Sequence, residues 1–208
     1  PKFLMVSGIA DILSKYTSIA DWKMAALVSG EYYCERVAGM AQQALDMMAE
    51  CVENILAGGE PDHEAMTMAQ MISGLTMQML RNSRAASGAE HLIAHLVEMK
   101  PPRFENAHGI HGECVGVGTI LCAEEYHRMA AKTPKAKPFA PIDEAWVREK
   151  FGPLAEGILK ENENDVLATF DPQNIVDHWD EIRALVAKIP QAEELRKTFR
   201  LLGGKYRL

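Results

Sequence analysis

Apolar residues recur on a helical period along most of the chain. Between Gly8 and Val28 they fall at Ile9, Ile12, Leu13, Tyr16, Ile19, Ala20 and Met24, close to a 3.6-residue repeat. A second helix is predicted from Tyr33 to Leu56, ended by Gly58-Gly59 and Pro61. A third runs from Glu64 to Leu80, rich in methionine and interrupted by Gly74. A fourth spans Ser87 to Glu98 and stops before Pro101-Pro102, and a fifth runs from His111 to Ala131. Pro134, Pro138 and Pro141 stand among lysines and make residues 132–141 a linker. Shorter helices are expected at Ile142–Phe151, Pro153–Asn162, Pro172–Lys188 and Ala192–Leu202, with Asp171 as cap and Pro172 at a first helical position. No stretch alternates apolar and polar residues as a strand would, and no internal repeat is present. The pattern predicts an all-α fold: five longer helices in residues 1–131, the linker, and a C-terminal helical group in 142–208 packed on the same domain.

Composition narrows the function classes. A 208-residue chain with 48% hydrophobic and 25% charged residues has enough apolar surface for a sizeable core. Its net charge of -7 argues against a nucleic-acid surface. The nearest candidate for a span, Val115 to Ala123, is far short of the roughly 18 residues a membrane helix needs. Cys34, Cys51, Cys114 and Cys122 show no CxxC spacing, which suits a reduced, cytoplasmic protein. Cys114 and Cys122 read as small core residues, the 12 methionines as core filling, and Trp22, Trp146 and Trp179 as packing anchors. The chain begins at Pro1 with neither an initiator Met nor a signal-peptide pattern, as a processed or trimmed chain would.

The chemistry concentrates in two blocks. His91 and His95 are four residues apart and share a helix face. Ser87 and Glu90 before them read as a capping box, which explains those two residues and leaves the imidazoles unexplained. His108-Gly109-Ile110-His111-Gly112-Glu113 leads into Val115-Gly116-Val117-Gly118-Thr119. Gly112, Gly116 and Gly118 each cost about 1 kcal/mol in a helix relative to Ala. A helix that keeps all three needs close approach by another backbone or a ligand. With Asp11 near the start, the chain offers an Asp plus two His, and three protein ligands with an open position suit a catalytic divalent metal.

These blocks carry a resemblance. His91-xxx-His95 followed by His111-Gly112-Glu113-Cys114-Val115-Gly116-Val117-Gly118-Thr119 resembles the superfamily of iron-containing alcohol dehydrogenases, glycerol dehydrogenases and dehydroquinate synthases. Ser83-Arg84-Ala85-Ala86-Ser87-Gly88-Ala89-Glu90-His91 and Gly8 to Tyr16, with Asp21-Trp22, are most similar to the bacterial form of the sn-glycerol-1-phosphate dehydrogenase family. The resemblance covers most of residues 1–131; Ala85 stands where the family usually has Pro. It implies the all-α C-terminal domain of the dehydroquinate synthase-like fold. It also implies Asp11, His91 and His111 as ligands of zinc, nickel or iron, with His95 and His108 near the substrate as proton-handling groups. The reaction implied is the NAD(P)-linked interconversion of dihydroxyacetone phosphate and sn-glycerol-1-phosphate. Arg84 could pair with a substrate anion, and Ser87 stands beside it as a second substrate contact.

One family feature is missing. The N-terminal α/β domain has a glycine-rich phosphate-binding loop, and Gly203-Gly204 is not followed by a helix. The expectation is therefore a metal-binding half that is inactive without its nucleotide domain. Its partner would be a small phosphorylated triose or glycerol, with a homodimer compatible and neither nucleic acid nor membrane involved. Three alternatives stay open. A glycerol dehydrogenase would use an unphosphorylated triol. A lyase of the dehydroquinate synthase type places Glu where this chain has Asp11. A non-catalytic helical module would close its metal site with a fourth ligand, for which Glu113 and His108 are the candidates.

Overall fold

The computed structural model describes residues 2–163 and 170–207; residues 164–169, inside the expected C-terminal group, lie outside them. Helices make up 71% of the chain, with no strand among the described residues. In order they are α1 (Lys2–Leu13), α2 (Lys15–Ser29), α3 (Glu35–Leu56), α4 (His63–Leu80), α5 (Ala89–Glu98), α6 (His111–Ala130), α7 (Glu144–Phe151), α8 (Ala155–Glu161), α9 (Gln173–Asp177), α10 (Trp179–Val186) and α11 (Ala192–Leu202).

The expected single helix over residues 8–28 is two helices. Ser14 interrupts it because the Asp11 carbonyl is taken by side chains: Ser14 Oγ donates to it at 2.6 Å and Lys15 Nζ at 3.2 Å. Side chains entering the backbone ladder are a recognised cause of a helix break. The predicted helix over 172–188 is likewise split at His178. The cap position is Pro172 rather than Asp171, one residue later than expected, although the Asp171 carboxylate still accepts from the Gln173 N–H at 2.9 Å.

α6 is the central element. α1, α5, α10 and α11 all pack on it, while α3 pairs with α4. The main core joins Ile9, Ile12 and Leu13 of α1, Leu45 and Met48 of α3, Ile120 of α6 and Phe199 of α11, all fully or nearly fully buried. Each such side chain contributes roughly 1.5–3 kcal/mol on burial. The glycine expectation is met at two places. A Cβ on Gly112 would strike the Ser7 carbonyl of α1, and one on Gly118 would strike the Glu90 backbone of α5. Gly116 is looser, facing side chains rather than backbone: the Ala10 methyl at 3.0 Å and the Phe199 ring at 3.4 Å. These contacts let α1 and α5 lie against α6 closely enough for their side chains to converge.

Two packing expectations need correction. Trp22 is fully buried and donates its indole N–H to the Tyr32 carbonyl at 2.8 Å, but Trp146 is 51% exposed. Among the methionines, Met48 and Met66 are buried, whereas Met68, Met71, Met77 and Met79 of α4 are exposed, three of them (68, 71 and 79) on one face. All four cysteines are free, and burial pushes the Cys114 and Cys122 thiols up, as core residues should behave.

Candidate metal centre

Asp11 lies on the last turn of α1, His91 in the first turn of α5 and His111 at the first position of α6. Three different helices therefore deliver one ligand-capable side chain each. His91 Nε2 lies 3.4 Å from Asp11 Oδ1 and His111 Nε2 lies 3.7 Å from the same oxygen. The three ligand atoms fall within 4.8 Å of one another. His91 is buried, Asp11 half-buried and His111 open to solvent, so one side of the cluster faces outward.

Each imidazole is held from behind by a carboxylate. Glu90 Oε1 accepts from His91 Nδ1 at 2.8 Å, and Glu98 Oε1 bonds His111 Nδ1 at 2.8 Å. With its proton on Nδ1, each neutral ring would present the Nε2 lone pair to a metal on the Asp11 side; without one, Nε2 of His91 is close enough to Asp11 to carry a proton toward it. That arrangement of outer carboxylate, imidazole and free Nε2 is how metal-binding histidines are oriented. The donor set of one carboxylate and two neutral imidazoles suits zinc, nickel or iron.

The buried side carries a dense polar network. Glu90 is fully buried, and besides His91 it accepts from Thr17 Oγ1 at 2.7 Å and from the Gly88 N–H at 2.7 Å. Lys15 is 1% exposed and donates to the Asp11 and Ala86 carbonyls. Burial lowers the Lys15 ammonium from its ordinary value, opposed by the charges of Asp11 and Glu90. Burial alone would raise Asp11, yet the His91 hydrogen bond and the charges of Lys15, His91 and His111 carry it below the usual carboxylate range. Burial disfavours the charged form of His91, and the bonds to Asp11 and Glu90 outweigh it, so His91 is raised. The cluster as a whole favours a cation between its carboxylates.

The start of α5 differs from the predicted capping box. Its N-cap is Gly88, not Ser87. Glu90 does reach back, to the Gly88 N–H, but the Ala89 N–H is satisfied by Asp21 Oδ2 of α2 at 2.7 Å. That carboxylate occupies the place a side chain at 88 would need, which is why glycine stands there. Asp21 also accepts from Tyr126 Oη of α6. Ser87 engages through its backbone, with its N–H donating to the Ser83 carbonyl.

The remaining candidates divide. His95 stands beside the cluster, stacked on His111 with ring centroids 5.5 Å apart, and its Nδ1 meets Glu98 Oε2 at 3.1 Å. His108 does not join it. It sits in the loop before α6, lining a small cavity with Val97, Ala107 and Cys114, and its carbonyl accepts from Lys205. Glu113 is turned toward the Ile110 N–H and Lys205, so neither fourth-ligand candidate closes the site. Arg84 is paired through two bonds, 2.6 and 2.7 Å, with Glu31 in the segment between α2 and α3. Sequence reasoning missed Glu90 as a buried anchor, Lys15, Asp21 and Glu98. Only the helical spacing of Glu98 from His95 hinted at the last.

Comparison with known proteins bears on this geometry. A scan against protein-family models finds no match. Among curated proteins, a glycerol-1-phosphate dehydrogenase (NAD(P)+) of Geobacillus stearothermophilus is 30% identical over 204 residues, 98% of this chain and 45% of the relative. The chain belongs to the glycerol-1-phosphate dehydrogenase family. Relatives of the same name in Bacillus subtilis and Sulfolobus acidocaldarius are 31% identical over 157 residues and 37% over 123. They are matched over 76% and 59% of this chain and over 40% and 34% of their own length. The chain thus spans less than half the length of these curated relatives, and the match lies in their C-terminal part. The all-helical architecture is that of the C-terminal domain of the dehydroquinate synthase-like fold. No helix among the described residues is long and apolar enough to cross a membrane.

Proposed function

We propose that this chain is the metal-holding half of an NAD(P)-linked oxidoreductase that interconverts dihydroxyacetone phosphate and sn-glycerol-1-phosphate. The observation that carries the reading is the convergence of Asp11, His91 and His111 from three helices with their ligand atoms within 4.8 Å and one face open. A divalent metal there would supply Lewis acidity at the substrate's secondary oxygen. The chain's own residues do the rest. Asp11 brings the negative charge, and the Asp11 carbonyl is tied down by Ser14 and Lys15. His91 is fixed by Glu90 in a buried pocket, so its ring cannot turn. His95, with Nδ1 on Glu98, keeps Nε2 free to give or take a proton at the substrate oxygen.

Hydride chemistry belongs to the nicotinamide. A dinucleotide pyrophosphate needs a strand, a glycine-rich turn and a helix, and the described residues include no strand. On this reading NAD(P) is held by the portion of the relatives' length that this chain does not span, and the chain alone does not turn over. A phosphorylated substrate follows from the relatives' name rather than from Arg84, whose guanidinium is already paired.

The test is metal stoichiometry of the purified chain beside Asp11→Asn, His91→Ala and His111→Ala, followed by cobalt loading. About one ion per chain is expected, lost in each variant, with a visible cobalt spectrum that dihydroxyacetone phosphate perturbs. A cobalt spectrum of a closed four-ligand site, insensitive to that ligand, would support a non-catalytic helical module instead. No bound ion in the wild-type chain would sink the reading for this chain.

A further inference from the structure

Glu98 is the unassigned residue at the open side of the cluster. It lies one turn beyond His95 on α5 and reaches across to the first residue of α6. Its two oxygens take different imidazoles, Oε1 taking His111 Nδ1 at 2.8 Å and Oε2 taking His95 Nδ1 at 3.1 Å. The two rings are nearly parallel, 25° between planes, so the carboxylate clamps a stacked pair. Neither ring has another protein hydrogen bond through Nδ1 among the described residues.

A carboxylate that accepts at both oxygens fixes both tautomers at once. Each ring carries its proton on Nδ1 and leaves Nε2 as an acceptor. For His111 that is the atom facing Asp11; for His95 it is the atom left for a proton. His111 is open to solvent, and among the described residues Glu98 is its hydrogen-bond partner at Nδ1, whereas the carboxylate behind His91, Glu90, is buried and itself held by Thr17.

We propose that Glu98 is a positioning residue that holds His111 in metal-binding register and His95 in the matching acid–base tautomer. The inference rests on the metal reading above for its purpose, but not for its geometry. Both Glu98 oxygens are taken by the two rings, so on this proposal it acts through them and not on the metal directly. Glu98→Gln is the informative change because it keeps the shape while replacing one acceptor oxygen by an NH2 that cannot accept. Glu98→Asp keeps the charge and shortens the reach by one methylene.

The experiment uses the whole chain, with two readouts. Zinc affinity is measured by competition with a chromophoric chelator, and the tautomers of the metal-free histidines by 15N imidazole NMR. Glu98→Gln is expected to weaken zinc about 10- to 100-fold, the usual consequence of removing an outer carboxylate from a ligand histidine. His95 and His111 should both shift from the Nδ1–H form toward a mixture. Glu98→Asp should lose most of the same affinity, since position and not charge is at issue. Wild-type affinity and unchanged tautomers in Glu98→Gln overturn the proposal, and so does a Glu98→Asp variant indistinguishable from wild type. If wild type itself binds no zinc, the metal reading falls, and the tautomer shift alone then decides for or against Glu98 as the clamp.

Discussion

The two sides of the cluster use the same bond in opposite surroundings. On one side Glu90 and His91 are buried, and Glu90 also receives Thr17 and the Gly88 N–H. On the other, Glu98 and His111 meet at the same 2.8 Å, near solvent, with only His95 as company. The local chemistry is a carboxylate on Nδ1 in both cases, but its energetic meaning differs. A buried acceptor removed leaves several donors unsatisfied, whereas an exposed one is replaced by water at little cost. Stability should therefore depend on the buried side, and the aim of the second ligand on the exposed one.

The largest effect is expected where backbone meets backbone behind Glu90. In an ordinary helix Gly→Ala gains about 1 kcal/mol. At Gly118 the added methyl would run into the Glu90 backbone, and neither helix can yield without opening the α5–α6 contact. Gly118→Ala should lose about 3 kcal/mol, the upper end of the cost of overpacking, and lower metal affinity because His91 moves with α5. Urea unfolding checks the sign. A stabilised Gly118→Ala would mean that the close approach is not what holds the buried side.

Glu90→Gln comes next, at about 2 kcal/mol. Its amide NH2 would face one of the donors that now point at the carboxylate, and buried Lys15 would keep only Asp11 as counter-charge. Denaturation of this variant beside Glu98→Gln measures the contrast directly. Equal losses from the two would erase the distinction between the sides.

This contrast also marks what could be read from the sequence. The helical period located α3, α4 and α6 closely, and the glycines at 112 and 118 announced a close approach before its partner was known. Asp11, His91 and His111 were legible because their types and flanking residues narrow the chemistry. The carboxylates behind them were not, because an acid next to a histidine in the chain has many roles. Only the crossing of α5 over α6 shows that Glu98 serves His111, 13 residues away. Arg84 shows the same limit: its partner Glu31 lies 53 residues off, where spacing gives no hint of it. Ser14 misled because the break in the helix comes from side chains competing for one carbonyl. Trp146 shows the opposite failure, a residue type trusted to be buried that stands half exposed with the Phe151 ring at its edge.

A pH dependence sharpens the picture of the buried side. Burial, aided by the nearby charge of Glu90, pushes Asp21 up to about 6, against its bonds from Tyr126 and Ala89 and the charge of Arg84. An acid raised in the folded state binds its proton more tightly there than when unfolded. Its stabilising contribution is complete below the unfolded value of 3.8 and is lost as pH rises through about 6. The two-unit shift sets an upper bound of about 3 kcal/mol, and relaxation of the site should reduce this to about 1–2 kcal/mol. Asp21→Asn keeps an acceptor for the Ala89 N–H and removes the charge. It should flatten the fall in stability between pH 4 and about 7, leaving the variant the more stable protein at high pH. Parallel slopes for variant and wild type would show that the carboxylate titrates as an ordinary exposed one.

The smallest expected effect on stability is the most telling about the exposed side. Glu98 makes its bonds near the surface, where water can replace either imidazole, so Glu98→Gln should change unfolding free energy by less than about 0.5 kcal/mol. Its zinc affinity should nevertheless fall, whereas Glu90→Gln should lose both stability and affinity. Melting temperatures of the metal-free and zinc-loaded chains separate the two quantities, because bound metal stabilises the folded state by an amount set by its affinity. For Glu98→Gln the metal-free melt should overlay wild type while the zinc-induced rise shrinks. A metal-free melt that drops as far as that of Glu90→Gln would place Glu98 among the residues that hold the fold together, and the two sides of the cluster would then differ only in exposure.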